Sequence, residues 1–243
     1  MIVNTTEVQN NFGKYLKLTK NEKIIITRNG KKVAKLMQYE KSNEHLIKEE
    51  VVDYHYNSQK IKVSYDDFKR TTEDSENRYE YIDGYLYLLA SPTVKHQRAV
   101  RNLLVKFDNW FNEKNCEPFT SPFDVTLYKD EEVEENINVV QPDILVICDQ
   151  ENIDEDDRYQ GTPELVVEAL SKTTKKKDFI TKLELYRMTG INEYWIVNPF
   201  TEEIFIFLFK DEEIQKVRSY KKDELLKSMT FESLKIKLNE IFD

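Results

Sequence analysis

Two apolar runs near the middle of the chain each carry a carboxylate, and few folds accommodate that. The first, Val139-Val140-Gln141-Pro142-Asp143-Ile144-Leu145-Val146-Ile147-Cys148, reads as a β-branched strand entered through a proline. Sheets tolerate proline only at a strand's start, an edge or a bulge, so Asp143 is expected near the beginning of a buried strand. The second run follows the breakers Gly161 and Pro163 and is apolar from Leu165 to Leu170 except for Glu168. A lone carboxylate buried in a strand is costly, so a cation or donor is expected beside it.

The next segment supplies that partner. Ser171 to Thr174 can cap a helix that runs to about Met188 and stops at Gly190. Phe179, Lys182, Leu183 and Tyr186 fall at i, i+3, i+4 and i+7, so Lys182 occupies the stripe that packs inward. A cation and two anions are thereby expected to converge on one interior. Read as structure alone, they form a buried Glu168–Lys182 ion pair with Asp143 capping a strand. Read as chemistry, they form a site.

The ordered series Tyr79-Glu80-Tyr81-Ile82-Asp83-Gly84, His96, Gln141-Pro142-Asp143, Val167-Glu168-Ala169-Leu170-Ser171, then Asp178, Lys182 and Tyr186, then Glu193-Tyr194-Trp195-Ile196-Val197 resembles the PD-(D/E)xK nuclease superfamily. Its Uma-type endonuclease-like family is the nearer likeness, over roughly residues 60 to 210. The resemblance implies a restriction-endonuclease-like α/β (α+β) fold, a mixed sheet flanked by helices, and metal-dependent hydrolysis of DNA phosphodiester bonds. It implies that Asp143, Glu168 and the Ala169 carbonyl bind Mg2+ (or Mn2+). Lys182 would then steady the attacking hydroxide, Glu80 would hold a second water or ion, and His96 and Tyr186 would support the site. The superfamily places its lysine two positions after the glutamate, where this chain has Leu170. In the Uma-type family the lysine comes from the following helix, at the position of Lys182.

The chain has 243 residues, 33% of them charged, with a formal net charge of -9, which excludes a global attraction for nucleic acid. The charge is uneven. Residues 1 to 35 hold eight basic residues against Glu7 and Glu22, a net of +6 that leaves -15 for the remainder. Cys116 and Cys148 are too few for a disulfide scaffold, and free thiols in a reducing, cytoplasmic compartment are expected. No apolar run approaches the ~20 residues that span a bilayer, and the start lacks a signal-peptide layout.

The domains expected are 1–40, a helical linker over 41–62, and 63–243. In the first, Thr6 and Gln9 make a capping-box pattern for a helix with Val8, Phe12, Tyr15 and Leu16 on one face. Residues 23–27 and 32–37 read as a hairpin turning at Asn29-Gly30. This small β-α-β-β unit resembles the N-terminal part of the Phd/YefM antitoxins, through Asn4 to Glu7, Phe12, Leu16, Ile24 to Thr27, Asn29-Gly30 and Val33-Ala34. The resemblance implies a homodimer and DNA docking through Arg28, Lys31 and Lys32; the alternative is a solvated lysine face. The region that reaches a toxin in that family leads here into a second domain, so no toxin partner is expected. His45 and His55 are read as surface residues.

In the second domain, Ser64 caps a helix, Asp83-Gly84 turns a hairpin in which Glu80 faces Tyr87, and Pro92 to about Asn115 forms the longest helix. Strands are expected over 123–128, 194–198, 204–209 and 214–220, then an amphipathic helix over 223–242. Lys172, Lys175, Lys176 and Lys177 gather at the start of the Lys182 helix, either to guide a phosphate backbone or as a solvated helix end. Two readings of the whole remain: a DNA endonuclease with an antitoxin-like module, or a non-catalytic DNA-binding regulator carrying a nuclease-like fold.

Overall fold

The computed structural model describes residues 1–10, 14–15, 18–19, 22–28, 30–36, 61–73, 75–129, 136–155, 158–171 and 177–243. It forms two compact units, Met1–Val52 and Asp53–Asp243. In the first, β1 (Ile2–Asn4) lies parallel to β2 (Ile24–Arg28), which pairs antiparallel with β3 (Lys31–Leu36). Helix α1 (Thr5–Asn10) is capped by Asn4, whose Oδ1 accepts from the Glu7 amide at 2.7 Å, so Asn4 takes the cap position expected for Thr6. Val8, Tyr15, Ile24 and Ile26 make the core. Gly30 sits at φ +76°, the left-handed conformation that a tight hairpin demands. His45, His55 and the connector as far as residue 60 lie outside the described residues.

The second unit begins at β4 (Ile61–Lys62), followed by α2 (Tyr65–Glu73), whose Asp67 amide donates to Ser64 Oγ at 3.1 Å. Strands β5 (Tyr79–Ile82) and β6 (Tyr85–Leu88) turn through Asp83 and Gly84, both at positive φ, and Glu80 faces Tyr87. Helix α3 (Val94–Phe111) comes next, then β7 (Glu117–Thr120), β8 (Val125–Tyr128), β9 (Ile137–Val140), β10 (Ile144–Ile147) and β11 (Leu165–Ala169). Helix α4 (Lys177–Met188) links β11 to β12 (Glu193–Asn198), and β13 (Glu203–Lys210) and β14 (Glu213–Lys221) follow. The described part of α4 opens at Lys177, and residues 172–176, with most of the expected cap, lie outside the described residues.

The strands build a five-stranded sheet, β4-β6-β5-β9-β8, and a six-stranded one, β14-β13-β12-β11-β10-β7. Only β11 and β12 of the six run parallel, and a parallel pair needs the crossover that α4 supplies. Alternation along the strands sends Ile144, Val146, Val167 and Trp195 toward α3, and Leu145, Val166, Tyr194 and Ile196 toward α4. Burial on both faces explains why these strands read as unbroken apolar runs.

Three expectations are corrected. The run 139–148 is not one strand: it breaks at Gln141-Pro142, sending β9 to one sheet and β10 to the other. Cys116 and Cys148 are not free thiols but a disulfide. Glu117 opposes Ile147 in the β7–β10 ladder, so the next pair outward is Cys116 and Cys148. The C-terminal helix is replaced by a hairpin, β15 (Leu225–Lys227) and β16 (Lys235–Lys237), with a short α5 (Asn239–Phe242). Its turn is latched by the wholly buried Glu193 carboxylate. That group accepts from Trp195 Nε1 at 2.6 Å, Ser228 Oγ at 2.8 Å and the Thr230 amide at 2.6 Å. Among the described residues no helix is long and apolar enough to cross a membrane.

Candidate active site

Charged side chains from several elements gather around the passage from β9 to β10. Asp143 sits at the crossing from β9 to β10, its carbonyl accepting from Thr120 Oγ1 at 2.8 Å. Its Oδ2 accepts the Ala169 amide at 2.8 Å and lies 3.1 Å from His96 Nε2, which the first turn of α3 delivers. Glu168 alternates with Val167 and Ala169 and so faces α4, where Lys182, Leu185, Tyr186 and Thr189 form the buried stripe at i, i+3, i+4 and i+7. That stripe keeps Lys182 and Tyr186 from the expected set and adds Leu185, with Leu183 half-buried against the same core; the Phe179 side chain lies outside the described residues.

Lys182 Nζ lies 2.7 Å from Glu168 Oε1 and 2.7 Å from Glu80 Oε1. The Tyr186 hydroxyl donates to the same Glu168 oxygen at 2.7 Å, and the Gln141 amide to Glu80 Oε1 at 2.9 Å. Five elements therefore deliver Glu80, His96, Asp143, Glu168, Lys182 and Tyr186 into contact. Burial pushes the Glu168 carboxyl up to about 7, with Asp143 and Glu80 adding to the rise and Lys182 opposing it. Burial pulls the Lys182 amine down, but the Glu168 and Glu80 carboxylates outweigh it and hold the amine above its ordinary range. For His96, too, burial is outweighed, here by the hydrogen bond and charge of Asp143, so its pKa is raised. Burial and the Glu168 charge raise Tyr186.

Among the described residues no three His, Cys, Asp or Glu groups stand together as a ready metal cage. Asp143 and Glu168 nevertheless each commit one oxygen to protein donors and leave the other, Oδ1 and Oε2, without a donor among those residues. Two such oxygens suit a hard cation that keeps several waters. Thr120 and Gln141 also position the site. Thr120 had no sequence signal, because β7 is an edge strand without an apolar run; Gln141 is visible only beside Pro142. Arg28, Lys31 and Lys32 are exposed in the first unit. Lys172, Lys175 and Lys176 lie outside the described residues, and of Lys177 only the backbone, opening α4, is described.

A mixed sheet with a helix-bridged parallel pair and acids at its strand ends defines a nuclease-like fold. The chain belongs to the Uma2 family, described as "Putative restriction endonuclease", whose model matches residues 65–239. Residues 1–59 match the family described as "Antitoxin Phd_YefM, type II toxin-antitoxin system". The uncharacterized protein slr1290 of Synechocystis sp. is 24% identical over 166 residues, 68% of this chain and 84% of that protein. A solved structure of a "putative nuclease belonging to DUF820" from Anabaena variabilis superposes with a TM-score of 0.59 at 20% identity. The match covers 74% of this chain and 97% of that one; it speaks for the fold.

Proposed function

We propose that this chain is a metal-dependent DNA endonuclease. The observation that supports it is the convergence of Glu80, Asp143, Glu168 and Lys182 from separate elements, with one oxygen each of Asp143 and Glu168 left for a ligand. Asp143, Glu168 and the Ala169 carbonyl would hold Mg2+ or Mn2+, which when bound lowers the pKa of a coordinated water and offsets charge on phosphorus. Lys182 carries its proton at neutral pH and holds positive charge beside the attacking oxygen and the developing phosphorane. Glu80 fixes the Lys182 amine and orders a further water. His96 orients Asp143, and Tyr186 orients Glu168. Lys172, Lys175, Lys176 and Lys177 would guide the substrate backbone. The first unit would dimerise and dock DNA through Arg28, Lys31 and Lys32, since so small a module buries little core alone.

The test is Glu168→Ala on supercoiled plasmid with Mg2+. It is expected to abolish nicking while the variant still retards DNA in a gel. Undiminished nicking would overturn the assignment. Retention of DNA by the wild type without any nicking would favour the non-catalytic regulator.

A further inference from the structure

The β15–β16 hairpin holds an arrangement that folding alone disfavours. Lys227 stands directly opposite Lys235. The Ser228 amide donates to the Leu234 carbonyl, and the Leu238 amide to the Glu224 carbonyl. These bonds mark the hydrogen-bonded pairs, so by alternation Lys227 and Lys235 occupy a closely spaced, non-bonded pair. Like charges placed so are destabilising. Neither lysine makes an ion pair among the described residues. Lys237, two residues on, faces the same way.

Beside them runs a groove of about 310 Å³, to which Lys216, Arg218 and Lys227 contribute cations and Glu232 the single acid. Lys216 and Arg218 lie on one face of β14, opposite Leu208 and Ile206. Alternate residues on a strand are about 6.8 Å apart, comparable to the step between neighbouring phosphates of a polynucleotide. Three cations against one carboxylate thus line the groove, and Lys235 and Lys237 continue the basic face along the hairpin, with Glu240 near Lys237, in a unit whose sequence is otherwise acidic.

We propose that this face binds the phosphodiester backbone of nucleic acid, as a contact separate from the hydrolytic cluster. Ile206 packs on the α3 side of the six-stranded sheet and Glu168 faces α4, so the groove and Glu168 lie on opposite faces. They also lie on different strands: Lys216 and Arg218 stand on the edge strand β14, and β13 and β12 separate it from Glu168 on β11. The groove therefore holds a different stretch of polymer from the one at the carboxylates, without reading its bases. The opposed lysines are retained because phosphate, not a protein carboxylate, neutralises them. The proposal rests on nucleic acid being the substrate proposed above.

The experiment uses the full chain, a fluorescent 20-base-pair duplex and EDTA to prevent hydrolysis, titrated over a range of salt. Lys235→Glu sets a carboxylate against Lys227 and removes two phosphate contacts. Affinity at 0.1 M salt is expected to fall about tenfold or more, and the slope of log K on log salt to flatten by about 1 to 2. The melting temperature is not expected to fall, since an opposite-charge pair replaces a like-charge one. Lys216→Ala, at an exposed position, gives a second reading, with a slope change of about 0.9. Unchanged affinity and slope in variants that melt like the wild type would overturn the proposal. So would a variant whose only change is in oligomeric mass, which would assign the face to a second copy. A wild type with no affinity for the duplex would instead overturn the nucleic-acid reading of the whole protein.

Discussion

Replacing Lys182 with methionine tests the electrostatics of the cluster. Methionine keeps the length and apolar stem and so leaves little cavity, but removes the cation that Glu80 and Glu168 both contact at 2.7 Å. Lys182 is 8% exposed and Glu80 3%, so water cannot replace it. Removing one partner of a buried ion pair costs about 3–5 kcal/mol. In a unit of this size that corresponds to a fall in Tm of roughly 6–20 °C. The loss depends on pH with a definite sign. The Glu168 carboxyl is raised to about 7 by burial despite Lys182, and rises further without it. A raised acid contributes stability that is present below its unfolded value near 4.5 and lost as pH rises through the folded value. The deficit of Lys182→Met against wild type is therefore larger at pH 8 than at pH 5, as differential scanning fluorimetry in EDTA would record. A deficit below about 2 °C, or one equal at both pH values, would refute the reasoning.

Glu193→Ala releases the Ser228–Thr230 turn and leaves several donors unpaired. A loss of roughly 3 kcal/mol is expected, visible as a lower Tm together with earlier proteolysis after residue 222. Thiol titration of the denatured protein is expected to find no free thiol before reduction and both cysteines after it. Reduction breaks a cross-link spanning 32 residues, so the reduced protein is expected to be less stable by about 3–4 kcal/mol in chemical denaturation.

What the sequence made legible was local. The Asp83-Gly84 hairpin could be read because its turn requires positive φ at both residues, found at 52° and 79°. The approach of Lys182 to Glu168 followed from a charge inside an apolar strand and another inside an apolar helix stripe. What could not be read depended on partners distant in sequence. An apolar run buried in either sheet looks the same, so 139–148 gave no sign of passing from one sheet to the other. The cysteines are neighbours only through the β7–β10 register. At the C-terminus, Leu234, Ile236 and Leu238 alternate at the period of a strand, and all three are buried. The group that holds the hairpin turn, the Glu193 carboxylate, lies 35 residues upstream of Ser228, where no local pattern points to it.

The most direct measurement is calorimetric titration of Mg2+ and Mn2+ into metal-free wild type and into Asp143→Ala/Glu168→Ala, with the same samples then incubated on plasmid DNA. Saturable binding and nicking by the wild type alone is the predicted result. Binding and nicking that survive in the double variant, or a wild type that neither binds metal nor cuts, would contradict the account.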